Sequence, residues 1–157
     1  MTARRLAGLL AFAIPFALLA GAYISQYGFG LYPCELCWWQ RYPHFFALAL
    51  GAVGLVRRDS RLPAFLAALA IAVSGAIGAF HAGVEYGWWE GVTACTALPS
   101  PDGGDLMEAI LNAPLIRCDV APWSLFGISL AGWNFLISTS SALLILQLLR
   151  RSGKDLA

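Results

Sequence analysis

The chain of 157 residues is 59% hydrophobic and only 12% charged, where roughly 25% charged is usual for a soluble domain. Ten basic and nine acidic side chains cannot clothe so apolar a protein in water, which excludes a soluble globule, and the hydrophobicity excludes a disordered chain. A net charge of +1 exerts no bulk pull on nucleic acid, and the length suits a single domain, residues 1–157.

A helix crosses a bilayer core of roughly 30 Å with about 20 apolar residues. Leu6–Ile24, 19 residues without a charge, predicts a first span over about 6–24. Arg4-Arg5 ahead of it and Ala20-Gly21-Ala22 near its end also resemble a cleavable signal, but the run is long for one, and a retained helix is the preferred reading. An outer loop follows, about 25–37. The second span, about 38–56, is less clean. It takes in Arg41, one turn inside the helix end, from where the head group reaches the interface. A tight turn holds Arg57, Arg58 and Arg61. The third span, about 62–82, carries Ala70, Ser74, Gly78 and Ala82 at four-residue spacing, a stripe of small side chains suited to close helix packing. The second outer loop, about 83–122, contains a turn-rich breaker, Pro99–Gly104. After it, Asp105 and Glu108 form a capping-box variant, and Leu106, Met107, Ile110 and Leu111 share a face. That pattern predicts a short amphipathic surface helix over 105–114, with a packed loop as the alternative. The fourth span is about 123–148. The fold class is all-α, a polytopic four-helix membrane bundle.

Eight of the ten basic residues flank the spans on one side: Arg4, Arg5, Arg57, Arg58, Arg61, Arg150, Arg151 and Lys154. Arg41 and Arg117 fall on the other. The positive-inside rule puts both termini and the 57–61 turn in the cytoplasm. Every tyrosine, and every tryptophan except Trp133, lies near the outer ends of the spans or in the outer loops, where amphipathic rings favour the headgroup zone.

Cys34, Cys37, Cys95 and Cys118 all fall in or beside the two outer loops, two to each. Outside the cytoplasm disulfides form and persist. Four cysteines allow three pairings, and adjacency favours Cys34–Cys37 and Cys95–Cys118. A bridge across two intervening residues restrains little chain entropy. The value of Cys34-Glu35-Leu36-Cys37 is therefore reactivity, because an attacked sulfur finds its resolving partner close by. Cys95 and Cys118 fit a plain staple equally well. Arg41 lies one helical turn after Cys37 and shares its face. A guanidinium and a helix N-terminus there would both stabilise a Cys37 thiolate. Arg41 also offers donors to a carbonyl oxygen of a lipid-soluble ligand, or serves as an interfacial anchor. Zinc is disfavoured because the second cysteine pair is widely split, and Trp38 stands where a haem-attachment histidine would be. His81, with Glu85 four residues on, is a weaker candidate for a ligand edge or a proton shuttle, as is His44.

Three segments carry a family resemblance. Pro33-Cys34-Glu35-Leu36-Cys37-Trp38-Trp39-Gln40-Arg41 resembles the PCxLCxxxR signature of the DsbB family of bacterial inner-membrane disulfide bond formation proteins. Cys118 to Gly127 resembles its C-x4-W-x3-G region before the last span, and His81 to Trp89 has the family's look. The resemblance implies a protein thiol:quinone oxidoreductase whose active site faces the periplasm. A reduced DsbA-like thioredoxin-fold oxidase would attack Cys95–Cys118, with Cys95 forming the mixed disulfide. Electrons would pass to Cys34–Cys37 and on to a bound quinone, ubiquinone rather than menaquinone. Cys37 and Arg41 would touch the quinone, with His81 as a weaker contact. A vitamin K epoxide reductase-like protein would carry its membrane-side CxxC in the last span instead. A four-helix scaffold with structural loop disulfides is the non-enzymatic alternative.

Overall fold

The computed structural model describes residues 2–57, 61–93 and 116–154. Cys95 and the predicted surface helix over 105–114 lie outside the described residues. Four long helices dominate: α1 (Ala3–Gly28), α2 (Glu35–Val56), α3 (Leu62–Glu85) and α4 (Leu130–Lys154). The helical membrane bundle expected from composition is what forms. Three of the four, α1, α3 and α4, are each long and apolar enough to cross a membrane. The first turns of α2 carry Gln40, Arg41 and His44, and these polar groups explain why it falls below that criterion.

Neighbours pack in the ring order α1–α2–α3–α4, with α4 closing against α1. The seam is built from small residues, including Ala7 and Ala11 on α1, Ala47 on α2 and Ala67 and Ala68 on α3. Lipid tails are as apolar as leucine, so helices associate in a bilayer through close backbone approach more than through expulsion of water. A Cβ on Gly51 would stand 2.7 Å from the Ala11 carbonyl oxygen, and one on Gly78 would stand 3.0 Å from the Ala131 carbonyl oxygen. The stripe Ala70, Ser74, Gly78 and Ala82 is buried along its whole length. Large apolar side chains such as Phe16, Phe46, Val73 and Leu143 are instead exposed on the outside of the bundle.

Between α3 and α4 a two-stranded hairpin pairs β1 (Ser124–Leu125) with β2 (Ile128–Ser129). Both central residues, Phe126 and Gly127, have positive φ, 52° and 76°, as a tight hairpin turn of matching twist requires. The Tyr86 hydroxyl donates to the Gly127 carbonyl and accepts from the Ser129 N–H, which pins the hairpin to the end of α3.

Candidate functional site

Pro33 leads into α2, and Cys34 is its N-cap in extended conformation. The Cys34 sulfur accepts the Cys37 backbone N–H at 3.3 Å, so the pair is held by the geometry that starts the helix. The two are thiols, with Sγ atoms 3.0 Å apart and the Cys34 S–H donated to Cys37. The Cys34 thiol is held well above the ordinary thiol range, first by that donation and then by burial, while the neighbouring His81 ring pulls the other way. The proton therefore stays on Cys34, and Cys37 is the sulfur poised as thiolate at a helix N-terminus.

Cys118 is fully buried in one cluster with Cys34, Leu36 and Val84, and Cys37 and Phe80 pack against it. Thr93 Oγ1 stands 3.5 Å from the Cys118 sulfur. Three of the four candidate cysteines thus come together at one end of the bundle.

Cys37, Gln40, Arg41 and His44 also line a cavity of about 290 Å³. Its other walls are α1 between Ala17 and Ser25, the Leu31–Pro33 segment, Pro122, and α4 between Leu130 and Ile137. Arg41 is almost buried, 7% exposed. Its guanidinium donates to Gln26 Oε1 at 2.7 Å and to the Ala22 carbonyl at 3.3 Å. It also lies 5.0 Å from the ring centres of both Tyr23 and Trp38. A guanidinium has five N–H donors, so donors remain for an oxygen in the cavity.

His81 does not line the cavity; it stands behind the dithiol. Its Nε2 is 3.6 Å from Cys34 Sγ and 3.2 Å from the Cys118 carbonyl oxygen. Glu85 Oε1 is 3.7 Å away, and both side chains are buried. On the far side of the ring, Nδ1 meets Gln40 Nε2 at 2.8 Å. Sequence reading overlooked Gln40 and Asn134, although an amide among the apolar residues Gly132–Leu136 is the kind of signal that marks a working residue in a span. Asn134 donates to Gln40 Oε1, and its own Oδ1 faces His44 Nε2.

Cys34, Cys37 and His81 place two sulfurs and a ring nitrogen within 4.8 Å of one another, the spacing of a partial metal site. Gln40 donates to His81 Nδ1, which leaves Nε2 carrying the proton.

The family model for disulfide bond formation protein DsbB matches residues 4–148. The chain belongs to the DsbB family. It is 30% identical over 161 residues to "Disulfide bond formation protein B" of Verminephrobacter eiseniae (strain EF01-2), covering 96% of this chain and 88% of that one. The corresponding protein of Actinobacillus pleuropneumoniae serotype 5b (strain L20) is 28% identical over 151 residues, covering 92% of this chain and 84% of that one. "Uncharacterized protein RP370" of Rickettsia prowazekii (strain Madrid E) is 24% identical over 135 residues, covering 83% and 78%. No solved structure matches significantly. Membership of the DsbB family makes disulfide bond formation the chain's role and disulfide-forming oxidoreductase its class.

Proposed function

We propose that this DsbB-family protein is a thiol:quinone oxidoreductase of the bacterial inner membrane, with its cysteines on the periplasmic face. It would reoxidise a DsbA-like thioredoxin-fold oxidase. The observation that carries the reading is a vicinal cysteine pair at the start of a helix, with Cys37 on the wall of a cavity that also holds Arg41. A scaffold needs no cavity beside its cysteines.

The cavity fits a quinone head in kind. Its walls from α1 and α4 are largely apolar, Arg41 has donors to offer, and His44 Nδ1 is buried without a hydrogen-bond partner. Such a site takes a flat apolar ring bearing oxygens at its edge. When bound, a quinone accepts two electrons and two protons; ubiquinone rather than menaquinone remains the expectation. Arg41 would hold one oxygen, Cys37 would present its thiolate to the ring, and His44 Nδ1, an acceptor while Nε2 donates to Asn134, would accept from a hydroxyl of the reduced ring.

In the relay, the partner's thiolate attacks Cys95 of a Cys95–Cys118 disulfide and Cys118 leaves as thiolate. Cys118 attacks Cys34 of a Cys34–Cys37 disulfide, and Cys37 leaves with the electron pair. Cys34 and Cys118 are buried in one cluster with Cys37 packed against it, which supports the step from Cys118 to Cys34.

The test is quinone reduction by the purified protein in lipid nanodiscs, with a short-chain ubiquinone analogue and a reduced thioredoxin-fold oxidase. The wild type turns over, and Cys37→Ser inserts normally but does not. Full turnover by Cys37→Ser would sink the assignment.

A further inference from the structure

A one-directional chain of hydrogen bonds runs behind the dithiol, and each donor in it is fixed by something that cannot rotate. Gln40 Nε2 donates to the Leu36 backbone carbonyl at 3.1 Å, which settles which end of that amide is nitrogen. Asn134 Nδ2 donates to the Ser74 carbonyl at 3.2 Å, which settles the second amide. Ser74 Oγ donates to the Gln40 carbonyl at 2.8 Å and so accepts from Asn134 Nδ2 at 3.1 Å. Flipping either amide would set oxygen against a carbonyl oxygen. With both amides fixed, His44 must donate through Nε2 to Asn134 Oδ1, Asn134 to Gln40 Oε1, and Gln40 to His81 Nδ1. A histidine whose Nδ1 accepts a hydrogen bond keeps its proton on Nε2.

We propose that His81 is a catalytic hydrogen-bond donor to Cys34, and that Gln40 is the positioning residue that holds its ring in the donating tautomer. His81 Nε2–H faces Cys34 Sγ at 3.6 Å and the Cys118 carbonyl at 3.2 Å. In the resting dithiol the carbonyl is the nearer acceptor. Once Cys34 carries a charge, the charge-assisted bond to sulfur is the stronger of the two. That moment comes in the relay when a Cys34–Cys118 disulfide is resolved. Once the partner's second thiolate has formed the partner's own disulfide and displaced Cys95 as thiolate, Cys95 attacks Cys118 Sγ, a Cys95–Cys118 bond forms, the Cys34–Cys118 bond breaks, and Cys34 leaves with the electron pair. A better-stabilised leaving thiolate leaves faster. This role rests on the relay reading, but the hydrogen bond itself does not.

The test reads the Cys34 thiolate without quinone or partner. In full-length Cys37→Ser protein in nanodiscs, alkylation of Cys34 by iodoacetamide is followed against pH by peptide mass. The groups facing Cys34 are then His81 and Glu85 from α3, the Cys118 segment, and the serine at 37. His81→Leu is expected to slow Cys34 alkylation about tenfold at a fixed mildly alkaline pH and to shift the profile upward, the size of one hydrogen bond to an anion. His81→Gln, whose amide nitrogen reaches the place of Nε2, restores most of the rate. Gln40→Leu, which touches the ring only on its far side, slows alkylation in the same direction. Equal profiles for wild type and His81→Leu, or a His81→Gln profile that matches His81→Leu, would overturn the proposal. If His81→Leu fails to insert, the His81→Gln and Gln40→Leu profiles decide: an unshifted Gln40→Leu profile overturns the positioning role. Failure here leaves the quinone assay untouched, whereas turnover by Cys37→Ser would sink the relay and leave this hydrogen bond standing.

Discussion

Arg41 shows how far one side chain's surroundings decide its role. A guanidinium that is 7% exposed and has no carboxylate partner among the described residues would be costly in a bilayer. It is held by an amide oxygen, a carbonyl and two aromatic faces, all neutral partners. Among the described residues nothing cancels its positive charge beside the cavity, where it is available to an oxygen that gains negative charge. Arg41→Ala is expected to raise the apparent KM for a ubiquinone analogue at least tenfold, since hydrogen bonds to charged groups contribute about 1.5–3 kcal/mol. Arg41→Lys keeps the charge but loses the fork that spans Gln26 and Ala22, and should fall between. Unchanged kinetics in Arg41→Ala would remove it from the site. The two cysteines give a second prediction. A raised Cys34 means less thiolate at any given pH, hence slower alkylation. In the reduced wild type, iodoacetamide near neutral pH should modify Cys37 before Cys34, and raising the pH should speed Cys34. Peptide mass analysis of partly alkylated protein checks the order, and Cys34 reacting first would contradict the hydrogen-bond direction.

At the scale of elements, the close crossings of α1 with α2 and of α3 with α4 position the site. Gly51 lies against the α1 backbone at Ala11 and Phe12, which cannot move aside as a side-chain tip would. Gly51→Ala is therefore expected to cost about 1–3 kcal/mol, as overpacking does. Gly8→Ala is the control, because nothing lies within 4 Å of its added Cβ, and it should be neutral or slightly stabilising. Unfolding of both variants in mixed micelles measures the difference; equal stability would mean the crossing is looser than its geometry. Helix packing of this kind was readable in the sequence, because the small-residue stripe on α3 has a period that the helix itself imposes. The CxxC with Arg41 was readable for the same reason, since its parts are neighbours on one helix. The chain from His44 to His81 was not, since Gln40 and Asn134 are 94 positions apart and Gln40 and His81 are 41 apart. No local period links such residues. His81 was accordingly legible only as a weak candidate for a quinone contact or a proton shuttle, and its ring stands against Cys34 and the Cys118 carbonyl.

For the whole molecule, most basic residues and the cysteines fall at opposite ends of the sequence-predicted spans. Arg61 donates to the Ser152 carbonyl at 2.5 Å, which ties the turn after α2 to the last turn of α4. Cys34 caps the far end of α2, and His81 and Glu85 stand at the far end of α3. A helix of 22 residues such as α2 rises about 33 Å, which exceeds a bilayer core of roughly 30 Å. The arginine end and the cysteine end are thus as far apart as a bilayer core is thick, and the positive-inside rule predicts a cytoplasmic arginine end. Tyr32 and Val56 are 63% and 82% exposed near the two ends, so each can carry a reporter cysteine in a chain whose native cysteines are serine. In cells with a permeable outer membrane and an intact inner one, a membrane-impermeant maleimide should label Tyr32→Cys, while Val56→Cys should react only after lysis. A green fluorescent protein fused after residue 157 should fluoresce, and alkaline phosphatase fused there should be inactive. The reverse pattern would overturn more than the topology. It would put the dithiol in a reducing compartment, where thiols are kept reduced and a protein has little use for making disulfides, so the relay would fall with the orientation.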